Sequence, residues 1–398
     1  MPPPDLKYAR SSRPPRPPLR ARLALETFED RTTPTNFVVN SVGDLPAKDR
    51  TDPAEDGWTG NFLPDGVTRE VTLRSAIETA NALPATAQQP HKISFSALVS
   101  AQNQTSASVI LTSPLEDIRK SIEFDGVSRD LLTITRDTSK LGFPYFSVAT
   151  LPQSPSCLVK FANMTIRDAV ATFPNFGKDS GAAIRSAMGL VLDSMAFINN
   201  ESIHGGAIFS SNTLWATNCR FESNKATGEG SDGGAIDIIA DSATIRNSQF
   251  VQNEARAGKG GAIAFNNISQ LTLSDTDFVA NVGDQGGAIY SSVAGGPVKL
   301  KITRGKFLCN SASNGGALLL STVTTEITGA EFDGNYADKG GAIYSKSNDL
   351  TLSNTTFGYN MATLGPQIAY NGVLNQSVWI DLNNTPGLTA ADLIRDPG

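Results

Sequence analysis

Gly260-Gly261-Ala262-Ile263, then Phe278-Val279-Ala280-Asn281, then Gly286-Gly287-Ala288-Ile289: two short phrases alternate here, and their recurrence decides the fold. The first phrase, Gly-Gly-Ala followed by Ile or Leu, stands at Gly205-Gly206, Gly233-Gly234, Gly260-Gly261, Gly286-Gly287, Gly315-Gly316 and Gly340-Gly341. The second is Phe-x-x-Asn: Phe197 with Asn200, Phe221 with Asn224, Phe250 with Asn253, Phe278 with Asn281, Phe307 with Asn310, Phe332 with Asn335 and Phe357 with Asn360. Successive Gly-Gly pairs are 28, 27, 26, 29 and 25 residues apart. A nearly fixed period of this size marks a solenoid, in which each unit buries its apolar face only against its neighbours.

Inside one period the pattern is that of strands. Aligned on each Phe, the positions seven and five residues earlier are Leu190 and Leu192, Leu271 and Leu273, Leu300 and Ile302, and Leu350 and Leu352, a period of two that puts both side chains on one face. Two residues before the Phe the side chain is small or compact: Cys219, Ser248, Thr276, Gly305, Ala330 and Thr355. A second apolar position follows each Gly-Gly pair, at Ile208, Ile236, Ile263, Ile289, Leu318 and Ile343. Each period therefore holds two or three short strands separated by tight turns. Stacking such coils with parallel, in-register pairing sets like residues one above another, so the Phe residues should form an interior aromatic stack. The Asn suits a turn, because its amide bonds nearby backbone or the Asn of the next coil and tolerates left-handed φ. The glycines suit positive φ or a place without room for a Cβ.

Gly-Gly-Ala-Ile with Phe-x-x-Asn resembles the repeat pair of the chlamydial-type polymorphic outer-membrane proteins, within the right-handed parallel β-helix superfamily that includes pectate lyases. The resemblance covers roughly residues 181 to 368. It implies an all-β, right-handed parallel β-helix of roughly ten or eleven coils with a short N-terminal capping helix. Such a fold hosts many activities, so fold alone does not assign function.

The ends differ from the repeats. Residues 1–36 are Pro- and Arg-rich, the composition of a disordered leader. Within them, Leu25 to Pro34 resembles the Leu-Glu…Glu-Asp-Arg…Pro segment near the start of many large bacterial extracellular proteins, which implies export. Residues 37–150 read as an N-terminal cap and irregular first coils, 151–372 as the regular coils, and 373–398 as a C-terminal cap. In the first of these, Leu73, Ala76, Ile77 and Ala80 share one helical face. The segment resembles the Ser-Leu-Arg-Glu-Ala-Ile opening of many bacterial β-helix surface proteins, with Ser75 in place of the usual Glu. Near the end, Thr389 to Asp392 has the pattern of a capped start to a short closing helix.

Composition narrows the function. The formal charge is −6 and the pI about 5.1, which argues against a nucleic-acid partner. No apolar run spans a bilayer as a helix. Cys157, Cys219 and Cys309 form no metal-binding spacing, and Cys219 fits the small inward slot as a core residue. Asp232, Asp237 and Asp241 cluster around one coil and could gather a calcium ion; solvated turns of an acidic protein are the competing reading. His204 occupies the same polar slot before Gly-Gly as Asp232, Lys259, Gln285, Asn314 and Lys339, and His91 lies between Pro90 and the next strand without an evident partner. No catalytic constellation emerges. The expectation is a non-catalytic secreted or cell-surface protein, adhesive or structural, whose polar ladders bind extracellular polysaccharide or cell-envelope components. The alternative is a polysaccharide lyase or glycoside hydrolase, as superfamily resemblance implies.

Overall fold

Alternation at Leu190 and Leu192 gives a strand, Gly189–Asp193, with both leucines buried and Val191 on the other face. The same rule builds every coil of the computed structural model, which describes residues 35–398 apart from 52–55, 87, 100–104, 150–157, 172–178, 240–241, 267–268, 293–297, 322, 347–348, 372–378, 381–387, 390–391 and 397–398. The leader and its export-like segment lie outside the described residues but for positions 35 and 36.

One coil serves for all. Ser242–Arg246 turns at Asn247 (φ 48°) into Gln249–Val251, which turns at Gln252 (φ 54°) toward Glu254–Lys259. Gly260 (φ 67°) then swings the chain into Ile263–Asn266. The first two strands of this coil belong to a 20-stranded sheet, the third to a five-stranded sheet and the fourth to a ten-stranded sheet. In the last coils the third strands, Tyr336–Lys339 and Met361–Leu364, pair as a sheet of their own. Pairing between coils is parallel and in register: Ile208, Ile236, Ile263, Ile289, Leu318 and Ile343 lie on successive strands of the ten-stranded sheet. The structure is a parallel β-solenoid. The ten-stranded sheet makes nine steps, so there are about nine turns, slightly fewer than expected. The early strands Asn36–Val38 and His91–Ser94 join the long sheet but contribute nothing to the ten-stranded one.

Two ladders fill the interior. Phe197, Phe221, Phe250, Phe278, Phe307, Phe332 and Phe357 stack with ring centroids 4.6 to 5.2 Å apart and interplanar angles of 4° to 10°. Burying each ring contributes about 2 to 3 kcal/mol, and the strand spacing itself sets the stacking distance. Beside them Asn200, Asn224, Asn253, Asn281, Asn310, Asn335 and Asn360 form a buried ladder, each Nδ2 donating to Oδ1 of the next at 2.8 to 3.0 Å. Asn224, for example, accepts from Asn200 and donates both to Asn253 and to the Phe197 carbonyl. Asn360 ends the ladder, and its Nδ2 donates to Gln367 Oε1 and to the Phe332 carbonyl instead.

The repeated Asn does not take the left-handed φ expected of it at any of these positions. The residue before it does, at Asn199, Ser223, Gln252, Ala280, Cys309 and Gly334. The backbone makes its corner there, which leaves Asn200, Asn224 and their equivalents free to point inward. Before Asn360 the corner differs: the Asn360 amide donates to the Gly358 carbonyl at 2.9 Å, and Tyr359 keeps a negative φ.

The first coil is covered by the helix Leu73–Ala82, whose Leu73, Ala76, Ile77 and Ala80 are fully buried. Thr72 caps it, accepting from the Ser75 amide while Ser75 accepts from the Thr72 amide. Ser75 thus performs the reciprocal half of a capping box that Glu performs elsewhere. Trp58–Phe62 and Arg69–Val71 form an antiparallel hairpin; the polar, Pro- and Gly-containing composition of residues 41–65 reads as loop, so its first strand is not expected from sequence. At the other end Thr389 does bond to Asp392, yet Leu393–Arg395 is a strand paired with Ile368–Tyr370, not the expected helix. The open edge of the ten-stranded sheet captures that segment, because its backbone groups need partners there.

Candidate metal centre

The residue before each Gly-Gly pair stands at the corner between the third and fourth strands of its coil. Ser180, His204, Asp232, Lys259, Gln285, Asn314 and Lys339 pair in sequence across this corner. The paired glycines make it tight: Gly233 has φ 65°, and a Cβ on Gly234 would lie 2.0 Å from the Gly261 carbonyl oxygen. In the coil of Asp232 the turn leads directly into Ile236–Ile238, where Ile236 and Ile238 face the core and Asp237 faces outward. Asp237 nevertheless retains only 3% of its exposure, because the corner closes over it.

His204, Asp232 and Asp237 each offer a donor atom, and these atoms lie within 4.8 Å of one another. Oδ1 of Asp232 and Oδ1 of Asp237 are both buried without a hydrogen-bond partner. Burial pushes the Asp232 carboxyl above its ordinary range, partly opposed by Lys259 and His204. Burial drives the Asp237 carboxyl well above it, and the neighbouring Asp232 carboxylate adds repulsion. Lys259 does not close the gap, since its ammonium sits over the Tyr290 ring, 5.3 Å from the centroid. Of the three carboxylates singled out in the sequence, two therefore meet, and Asp241 lies outside the described residues. The third donor is His204, which the sequence presents as an ordinary turn residue. A His with two carboxylates suits a borderline transition metal better than calcium, which takes six to eight oxygens.

Other acidic side chains of the coils, Asp275, Asp277, Asp284 and Asp333, already have partners. Asp275 holds Arg304 through two contacts of 2.6 and 2.7 Å, and this hydrogen-bonded guanidinium keeps the carboxyl below its usual range. Asp277 accepts from the Lys306 amide, Asp284 from the Ser313 hydroxyl and Asp333 from the Tyr359 amide. Each belongs to a bond between coils. Cys219 is buried, which pushes its thiol up to about 12, while Cys309 is exposed; Cys157 lies outside the described residues. His91, which the sequence leaves without a partner, is buried edge-on against Phe37, and its Nδ1 accepts from the Thr35 amide. An open groove of about 380 Å³ is lined by Arg256, Asp284, Ser313, Tyr336 and Asp338 among others.

Repeat geometry and chain composition together define an all-β, solenoid-forming repeat protein. The model of the Chlamydia polymorphic membrane protein repeat matches residues 329–346, the stretch that carries Phe332, Asn335 and Gly340-Gly341. That match associates the chain with repeat proteins of the cell surface or outer membrane. The comparisons with curated proteins and with solved structures found no match. Among the described residues no helix is long and apolar enough to cross a membrane.

Proposed function

We propose that this chain is a non-catalytic, surface-exposed β-solenoid that acts in adhesion or as a structural element, binding extracellular polysaccharide or other cell-envelope components. The observation that carries this reading is the outward face of the long sheet. Thr244, Thr272, Lys301, Glu326 and Thr351 stand there in direct register, one per coil. A ladder of this kind sets one polar side chain per coil, three of the five a Thr hydroxyl, at steps of about 4.8 Å, which suits an extended, repetitive partner better than a single small molecule. Cross-coil ion pairs such as Lys299 with Glu326, at 2.8 Å, keep those side chains ordered. Tyr336, Tyr359 and Met361 are exposed, Tyr336 at the polar groove, and supply the flat apolar surface that sugar rings pack against.

The experiment has two arms. Cell fractionation should place the protein at the surface, and a cytoplasmic location would refute the reading. Incubation with acidic and neutral polysaccharides, with and without calcium, should give retention on at least one polymer without cleavage. New reducing or unsaturated ends would establish a hydrolase or lyase instead.

A further inference from the structure

We infer that His204, Asp232 and Asp237 form a binding site for one divalent transition-metal cation of the zinc class, at the corner between the third and fourth strands of the coil. The donors converge within 4.8 Å, close enough for a small side-chain adjustment to place all three around one ion. Asp237 makes the stronger case. Its unpartnered Oδ1 lies beside a second carboxylate in a place with 3% exposure, and nothing in the repeat requires it there. The coils on either side show what the fold packs at that position: Phe209 before it and Ala264, Tyr290, Leu319 and Tyr344 after it, all apolar or aromatic, with polar residues, Arg185 and Ser147, only two and three coils earlier. An acid in this column contributes no packing and costs desolvation, so its counterion must be sought outside the repeat pattern.

The neighbouring slots point the same way. Lys259, Gln285, Asn314 and Lys339 fill the corner ladder on the following coils, whereas His204 and Asp232 stand on the two coils whose side chains reach Asp237. The nearby ammonium of Lys259 sits over the Tyr290 ring and acts on the two carboxylates through its charge alone, leaving both Oδ1 atoms without a hydrogen bond. The imidazole nitrogen selects against calcium and magnesium in favour of zinc, cobalt or nickel. His204 and Asp232 are half-buried, so solvent reaches the ion and three protein donors leave a coordination position for water. This site stands or falls independently of the adhesive role proposed above.

The repeat supplies its own folding controls. Asp237→Ala introduces the residue that the next coil carries at Ala264, and His204→Gln introduces that of Gln285. The full chain, stripped with chelator, is titrated with Zn²⁺ alone and separately with Ca²⁺, following heat of binding, bound metal per chain and thermal midpoint. Cobalt provides a visible spectrum that reports nitrogen and oxygen coordination. The expected result is one Zn²⁺ per chain with a raised midpoint, and roughly 100-fold weaker binding or more in either variant. The metal-free Asp237→Ala protein should melt at or above the unsubstituted chain. Absence of Zn²⁺ binding, as when the two carboxyls merely share a proton, would overturn the inference. So would Zn²⁺ binding that both variants retain, or Ca²⁺ bound as tightly as Zn²⁺.

Discussion

Asn281 illustrates how much one side chain carries in this fold. Its Oδ1 accepts from the Asn253 amide at 2.9 Å and from Asn253 Nδ2 at 3.0 Å, while its Nδ2 donates to the Phe250 carbonyl and to Asn310 Oδ1. Asn is suited to the place because it has both a donor and an acceptor, which a carboxylate or a hydroxyl would not arrange in this way. Asn281→Ala removes all four bonds and orphans buried groups on both neighbours, since a half-satisfied polar ladder costs more than none. The expected loss is roughly 3 to 5 kcal/mol, read as a lower urea midpoint at an unchanged slope. A loss below about 1 kcal/mol would mean that the ladder is incidental to stability.

At the scale of the element, the corner and the strand make different demands, and the sequence displays them unequally. Gly286 has φ 69°, a conformation that side chains resist, whereas Gly287 is needed for proximity: a Cβ there would lie 2.1 Å from the Gly316 carbonyl oxygen and 2.7 Å from Ser311 backbone atoms. Backbone on a stacked coil cannot retreat without disturbing the coil beyond it. Gly287→Ala should therefore cost at least about 2 kcal/mol, measured by thermal melting of purified protein; a midpoint within a degree of the unsubstituted chain would contradict the packing. The strands themselves were open to sequence reading, because Leu190, Leu192 and the Phe columns alternate with a period of two and recur. The hairpin Trp58–Phe62 was not, since its sequence lacks that alternation and has Gly60 in the middle. The left-handed corners were legible only in part: Asn and Gly mark some, but Ala280, Arg304 and Cys309 hold others at positive φ with no local signal. For the same reason the sequence leaves open whether Asn224 and Asn360 bond nearby backbone or the Asn of the next coil, and suggests a left-handed φ that they do not adopt, since propensity for a corner does not say which of two adjacent residues makes it. The candidate site was half legible. Asp232 and Asp237 are close in the chain, but the burial of Asp237 arises from the corner, and the approach of His204 arises from the stacking of coils, neither of which a spacing rule reveals.

At the scale of the whole solenoid, strand pairing between the described coils runs almost entirely between nearest neighbours. Each Phe stacks on the next, each Asn bonds the next, and each strand pairs with its equivalent one turn on. Such a structure behaves as a one-dimensional array, whose stability is a sum of coil terms and interface terms. Coupling between two substitutions should therefore depend on how many turns separate them. Asn253 and Asn281 share a hydrogen bond, so the loss in the double alanine variant should fall short of the sum of the single losses by about 1 kcal/mol or more, because the second substitution removes groups that the first has already orphaned. Asn200 and Asn335 are five turns apart, about 24 Å at the strand spacing, and their losses should add within roughly 0.5 kcal/mol. Both cycles can be run in urea on the full chain, with the slope watched for loss of two-state behaviour in the longer-range pair. Equal coupling in the two cycles would show that strain passes through many turns, and the nearest-neighbour account of this solenoid would then be wrong.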